Sequence, residues 1–108
     1  MSDFDRYLET LKDGLARMVR EHWADLGEQA LKSGDRFLQD VEDDLRRWTA
    51  LLVEGRLTKE EFRFLVESKK DLLELAALKE AGLSAIRLEQ FRNGVVNLAV
   101  STAVDVLL

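Results

Sequence analysis

The last quarter of the chain carries the most distinctive pattern of apolar and polar positions. From Asn93 to Val104 there is no charged residue, although 34% of the whole chain is charged. A helix that is apolar on nearly all sides must be covered by neighbouring segments or by a second chain. The pattern therefore predicts a central helix over residues 84–107. Its polar residues recur every four positions and lie on one ridge, formed by Glu89, Asn93, Asn97, Ser101 and Asp105.

The first half of the chain predicts amphipathic helices whose apolar residues recur at spacings of four and three. The two runs are Phe4, Leu8, Leu11, Leu15 and Met18, then Leu38, Val41, Leu45, Trp48 and Leu52. They are out of phase between residues 26 and 34. We expect a break or kink at Ser33–Gly34. A single helix over residues 3–54 with a stutter stays open, because glycine costs only about 1 kcal/mol inside a helix.

The clearest local signal lies between residues 53 and 61. Gly55 suits the left-handed conformation that ends a helix. Thr58, with Glu61 three residues later, forms a capping box that starts the next helix. The segment predicts a tight helical hairpin.

A third helix is predicted from Lys59 to about Ala81, and Gly82 followed by Ser84 marks the start of the last one. The chain has no proline and no strand-like alternation. We therefore predict an all-α fold, a small antiparallel bundle expected to have four helices, as a single domain over residues 1–108. The third helix has a broad apolar face, formed by Phe62, Phe64, Leu65, Val66, Leu72, Leu73, Leu75 and Ala76.

Composition excludes several kinds of site. There is no cysteine and only one histidine, so disulfides, thiolate metal sites and multi-histidine sites within one chain are excluded. The net charge is −5, because residues 1–54 hold 13 acidic and 8 basic side chains while the rest is balanced. We expect neither a nucleic acid nor a membrane as partner. The N-terminal residues lack the features of a signal peptide, which predicts a cytoplasmic protein.

Residues 50–61 share with EF-hand loops a glycine at the sixth position and a glutamate at the twelfth. Calcium also needs oxygen ligands at the first, third and fifth positions. Those positions are Ala50, Leu52 and Glu54, and the first two have no side-chain oxygen. We predict that the protein binds no calcium and that Glu61 is a capping residue.

The same segment is similar to short helical-hairpin modules of the SHOCT type, which are C-terminal or linker oligomerisation segments. The resemblance implies an oligomerisation role and no catalytic residues. It covers residues 51–73 only, in an internal position, and we assign no family from it. The residues that carry it are Leu51, Leu52, Gly55, Leu57, Thr58, Glu61, Phe62, Lys69, Leu72 and Leu73.

Four polar residues are candidates for a ligand site or for buried polar positions: Lys69, His22, Asn93 and Asn97. Lys69 falls within the apolar face of the third helix, so we expect it to reach the rim or to meet a carboxylate of another helix. His22 is interpreted as a surface or seam residue, because a di-iron helix needs a glutamate at the position that Val19 occupies. The two asparagines are either exposed or form a buried amide pair.

No residues have the spacing of a catalytic, metal or cofactor site, and we expect a non-enzymatic protein without cofactor. The leading hypothesis is an interaction or assembly protein, an adaptor or regulatory subunit, that forms a homodimer, with another protein as a candidate further partner. The alternative is a bundle with an internal pocket for an anionic or fatty molecule. The expected dimer interface comprises Leu8, Leu11, Leu15, Val96, Val100, Val104 and Leu107.

Overall fold

The computed structural model describes residues 2–73, 79 and 82–108. The elements in this part of the chain are α-helices and one 3-10 turn, without a strand, which confirms the predicted all-α class. Five α-helices are seen among these residues, where four were expected. They are α1 (Asp3–His22), α2 (Gly27–Asp40), α3 (Glu42–Val53), α4 (Lys59–Ser68) and α5 (Ala85–Leu107).

The N-caps predicted at Thr58 and Ser84 are confirmed, and Ser2 caps α1 in the same way. The side-chain oxygens of Ser2, Thr58 and Ser84 each accept a hydrogen bond from the backbone N–H three residues later, at 3.1 to 3.2 Å. These bonds satisfy N–H groups that the first turn of a helix leaves without a partner. They fix the starts of α1, α4 and α5.

The break predicted at Ser33–Gly34 is wrong, and so is a single helix over residues 3–54. The chain leaves helical geometry at Trp23 and again at Val41, whereas α2 runs through residues 33 and 34. Gly34 is buried against α1, and a Cβ atom there would lie 2.6 Å from Cδ2 of Leu15. This glycine allows two helices to approach closely, so its presence does not mark a helix end.

The third predicted helix ends earlier than expected. α4 stops at Ser68 and is followed by the 3-10 turn Lys70–Leu72 and by Leu73 in an extended conformation. A continuous helix from Lys59 to Ala81 is therefore wrong over residues 69–73. Leu75 and Ala76, which were placed on its apolar face, lie outside the described residues.

α5 runs antiparallel to α1. The hydroxyl of Tyr7, near the start of α1, donates a hydrogen bond to the backbone carbonyl of Ala99 at 3.0 Å. At the other end of α1, the ring of Trp23 meets Phe91 edge-on, with centroids 5.3 Å apart. The apolar sides of α5 enter one core cluster that includes residues from all five helices. Within the described residues no helix has the length and apolar character needed to cross a membrane.

Candidate interaction surface

The hairpin between α3 and α4 has the geometry that the sequence predicts. Gly55 has a φ of 75°, and its N–H donates to the carbonyl of Leu52 at 3.1 Å, which closes α3. The N–H of Thr58 donates to Oε1 of Glu61 at 2.9 Å and completes the capping box. Leu57, one residue before the Thr58 cap, is half-buried and packs against the core.

α4 carries apolar side chains on two sides. Phe62 and Val66 are buried in the core. Phe64 lies about 200° round the helix from Phe62, so it points away from the core. Its side chain is 70% exposed. Single exposed apolar residues are common on protein surfaces, but an exposed aromatic ring that lies beside other accessible apolar side chains is a candidate contact surface.

Phe64 forms one wall of an open groove of about 380 Å³, which we call the hairpin groove; its lining residues are Leu57, Glu60, Glu61, Phe64 and Leu65. Leu57 and Leu65 are half-buried and form the apolar floor beside Phe64. Both charged side chains that line the groove are glutamates. The hydrogen bond from the Thr58 backbone N–H holds the pKa of Glu61 below its usual value, so this carboxylate is ionised at neutral pH.

Polar contacts hold α4 and the 3-10 turn that follows it against α5. Nη1 of Arg63 donates to Oδ1 of Asn97 at 2.7 Å, and Nζ of Lys70 donates to Oε1 of Glu89 at 2.9 Å. The hydrogen bond to Glu89 raises the pKa of Lys70. These contacts lie on the side of α4 that faces α5. They leave the hairpin groove open and its backbone fixed.

A second groove of about 390 Å³, which we call the end groove, opens where the start of α1 meets the ends of α3 and α5. The guanidinium carbon of Arg46 lies 4.5 Å from the ring centroid of Phe4 at its rim. The groove is lined by Ser2, Asp3, Phe4, Arg46, Thr49, Ala50, Val53, Glu54 and Leu107.

The residues expected to form a dimer interface are mostly inside the chain. Leu11 and Leu15 are buried, as are Val96 (2% exposed) and Val100 (8% exposed). Leu8, Val104 and Leu107 are half-buried. The premise that the other helices leave Val96 and Val100 uncovered is therefore wrong. The reason is that α1, α3 and α4 all pack on α5, and they cover its apolar sides more fully than three short helices were expected to.

The four polar candidates do not come together in one pocket. Lys69 has the expected carboxylate neighbour, since its Nζ lies 3.7 Å from Oδ2 of Asp44 in α3, and its side chain is more than a third exposed. His22 is exposed on α1. Asn93 and Asn97 are exposed on the polar ridge of α5, so they form no buried amide pair. Within the described residues no cluster of three or more histidine, aspartate or glutamate side chains could hold a metal ion.

No protein-family model matches the chain, and no curated protein or solved structure matches it significantly. The resemblance of residues 51–73 to SHOCT-type hairpins therefore has no family match to support it. What the protein does has to be inferred from its surface.

Sequence reasoning placed Phe64 on the apolar face of the third helix and so missed its exposure. The signal was present in the positions next to it on the helix surface. Glu60, Glu61 and Glu67 lie four and three residues before Phe64 and three residues after it. A phenylalanine with three carboxylates as its neighbours on a helix lies on the solvent side, whereas Phe62 and Val66 share the core side.

Proposed function

We propose that this protein is a non-enzymatic interaction module, a small helical bundle arranged around α5 that binds another protein chain through the hairpin groove. The observation that supports this is the 70% exposure of Phe64 beside Leu57 and Leu65. Full burial of a phenylalanine side chain contributes roughly 1.5–3 kcal/mol before the cost of ordering is subtracted. The three side chains together make a binding site for an apolar anchor.

The backbone of the hairpin groove is already ordered before a partner binds. Phe64 lies on a helix whose start is fixed by the Thr58 capping box, and the 3-10 turn after this helix is tied to α5 by the Lys70–Glu89 hydrogen bond. A partner therefore does not have to order the backbone of this surface when it binds. Such preorganisation increases affinity because less conformational entropy is lost on association.

The experiment is photo-crosslinking in the native cells, with benzoylphenylalanine placed at position 64 or, as a matched control, at Ile86. Ile86 is 72% exposed but does not line the hairpin groove. We expect a defined crosslinked protein from position 64 that is absent from position 86. Equal crosslinking from the two positions would contradict the proposal.

The homodimer expected from the sequence is one form of this proposal, in which the partner is a second copy. Sedimentation tests it over a range of concentrations. Val100→Glu is a poor variant for that purpose, because Val100 is buried and the substitution would disrupt the core. Phe64→Ser tests the groove, and Leu107→Ser tests what remains accessible of the expected interface. A wild-type species of 12.4 kDa at every concentration would reject the homodimer.

A second candidate function is the binding of an anionic amphiphile in the end groove. Its apolar wall includes Phe4, Val53 and Leu107, and Arg46 supplies a cation at the rim. Dodecanoate is a suitable probe for titration by calorimetry. We expect saturable binding that Arg46→Gln weakens, with Arg20→Gln, an exposed residue near the other end of α1, as the control for net charge. Equal binding by both variants would reject this function.

A further inference from the structure

The hairpin groove has an acidic rim. Glu60 and Glu61 line it, and Glu67 lies one turn further along α4 on the side of Phe64. Within the described part of the chain, the carboxylates of Glu60 and Glu67 form no hydrogen bond or salt bridge, and both residues are exposed to solvent. Building on the proposed function, we infer that the groove binds a basic amphipathic helix of another protein.

The charge of the rim argues against a second copy of this chain as the occupant. A two-fold pairing centred on Phe64 would bring Glu60 and Glu61 of one copy close to the same residues of the other. Each copy also carries a net charge of −5. Like charges placed opposite each other disfavour association, whereas lysine or arginine side chains beside an apolar anchor complement this rim.

The backbone of the groove argues for a helix as the form of the partner. α4 uses its N–H and C=O groups in its own helical hydrogen bonds, and there is no strand edge in the described residues to which an extended peptide could add. Recognition must therefore use side chains. A helix presents apolar side chains three and four positions apart on one face and basic ones beside them, which suits a short apolar groove with carboxylates at its rim.

Two synthetic peptides test the inference in fluorescence anisotropy titrations. One is an amphipathic helix of leucine and lysine, and the other has glutamate in place of lysine. Phe64→Ala tests the apolar anchor, with Ile86→Ala as its control. The paired variant Glu60→Gln/Glu67→Gln tests the rim, with Glu9→Gln/Asp13→Asn on α1 as a control that removes the same charge. Circular dichroism checks that each variant is folded.

We expect the lysine peptide to bind and the glutamate peptide not to bind. Phe64→Ala should weaken binding about tenfold, which corresponds to about 1.4 kcal/mol. The rim variant should weaken it several-fold and reduce its dependence on salt, while both controls stay within about twofold of the wild type. If both charge-removing pairs weaken binding equally, attraction comes from net charge alone and the inference is wrong.

The outcome separates the inference from the proposed function on which it rests. If the lysine peptide does not bind to the groove but Phe64→Ser dissociates a dimer in sedimentation, the groove binds a second copy. The interaction module then stands and the basic partner is rejected. If the lysine peptide does not bind to the groove and crosslinking at position 64 equals that at position 86, the basic partner and the interaction module are both rejected.

Discussion

Large apolar residues are buried at the interface between α1 and α5, whereas the outer face of α4 exposes one to solvent. Phe91 of α5 is fully buried against Trp23, whereas Phe64 of α4 is mostly exposed. Two long antiparallel helices cover each other along most of their length, so their large apolar residues are buried or half-buried within the chain, except Ile86 in the first turn of α5. α4 has only ten residues, with apolar side chains on two sides, and its neighbours cover one of them. The uncovered side is the surface that we propose binds a partner.

Small residues explain how closely α1 and α5 approach. A Cβ atom at Gly14 of α1 would lie 3.0 Å from Cδ1 of Leu98, and one at Gly94 of α5 would lie 3.1 Å from Sδ of Met18. Each glycine leaves room for a side chain of the facing helix. No such glycine lies on the outer face of α4, where the residues around Phe64 are glutamates.

The largest difference in the free energy of unfolding is expected between two single variants, one at Phe91 and one at Phe64. Phe91→Ala removes a fully buried ring and should lower the free energy of unfolding by about 3–5 kcal/mol. Phe64→Ala should change it by less than about 0.5 kcal/mol, because the ring is exposed. Urea denaturation of both variants measures the contrast. A loss above about 2 kcal/mol for Phe64→Ala would show that this ring belongs to the core and would remove the proposed binding surface.

The next largest difference in stability is expected between alanine substitutions at two glycines that lie at helix contacts. In Gly34→Ala the new methyl group would lie 2.6 Å from buried Leu15, which should cost more than the roughly 1 kcal/mol gained in helix propensity. We expect a net loss of about 1–2 kcal/mol. Gly94→Ala meets the flexible side chain of Met18 and should be nearly neutral, within about 0.5 kcal/mol. If Gly34→Ala stabilises the protein in thermal unfolding, the contact between α1 and α2 is looser than the structure shows.

Local signals were reliable in this sequence because they depend on a few neighbouring residues. The caps at Ser2, Thr58 and Ser84 and the turn at Gly55 could be predicted from hydrogen-bonding chemistry alone. The extent of α5 followed from its apolar pattern. Gly34 was misread because glycine has two uses, to end a helix and to let helices approach. Only the position of α1 decides between them.

The candidate site was harder to predict than the fold. A hydrophobic pattern shows that a side chain prefers burial but not which neighbour covers it. Val100 looked like an excess apolar residue and is covered within the chain, whereas Phe64 looked like a core residue and is exposed. The difference depends on how many helices pack on α5 and how few pack on α4, which is a property of the tertiary arrangement.

A smaller effect is expected at the polar contact inside the α1–α5 interface. Tyr7→Phe removes the buried hydrogen bond to the Ala99 carbonyl and should cost about 1 kcal/mol at neutral pH. Burial raises the pKa of Tyr7, so its contribution to stability is complete below pH 10.0, the ordinary value, and is lost as pH rises toward the folded-state pKa. Stability above pH 10 should therefore fall less steeply in the variant.

Tyr7 is the single tyrosine, so an ultraviolet absorbance titration reports on it alone. We expect tyrosinate to form only together with the loss of the circular dichroism signal. Ionisation near pH 10 in a chain that keeps its helical signal would contradict the burial of this side chain.

The smallest effect on stability is expected where the 3-10 turn after α4 meets α5, at the hydrogen bond that Glu89 accepts from Lys70. That hydrogen bond lowers the pKa of Glu89, so the stability it contributes is present above the unfolded-state pKa of the carboxyl group and is lost as pH falls through the folded-state value. Glu89→Gln should therefore reduce stability slightly at pH 7 and converge with the wild type in acid, which gives a flatter acid limb in a plot of melting temperature against pH.

The matched control is Glu9→Gln, at an exposed glutamate of α1 without a salt bridge in the described structure. It removes the same charge and should leave the acid limb unchanged. Salt should also weaken the Glu89 effect, because both partners are partly exposed. If the two variants have the same pH profile, the Lys70–Glu89 contact does not hold α4 in place. The fixed backbone of the hairpin groove would then depend on the Thr58 capping box, on the Arg63–Asn97 hydrogen bond and on Phe62 and Val66 in the core.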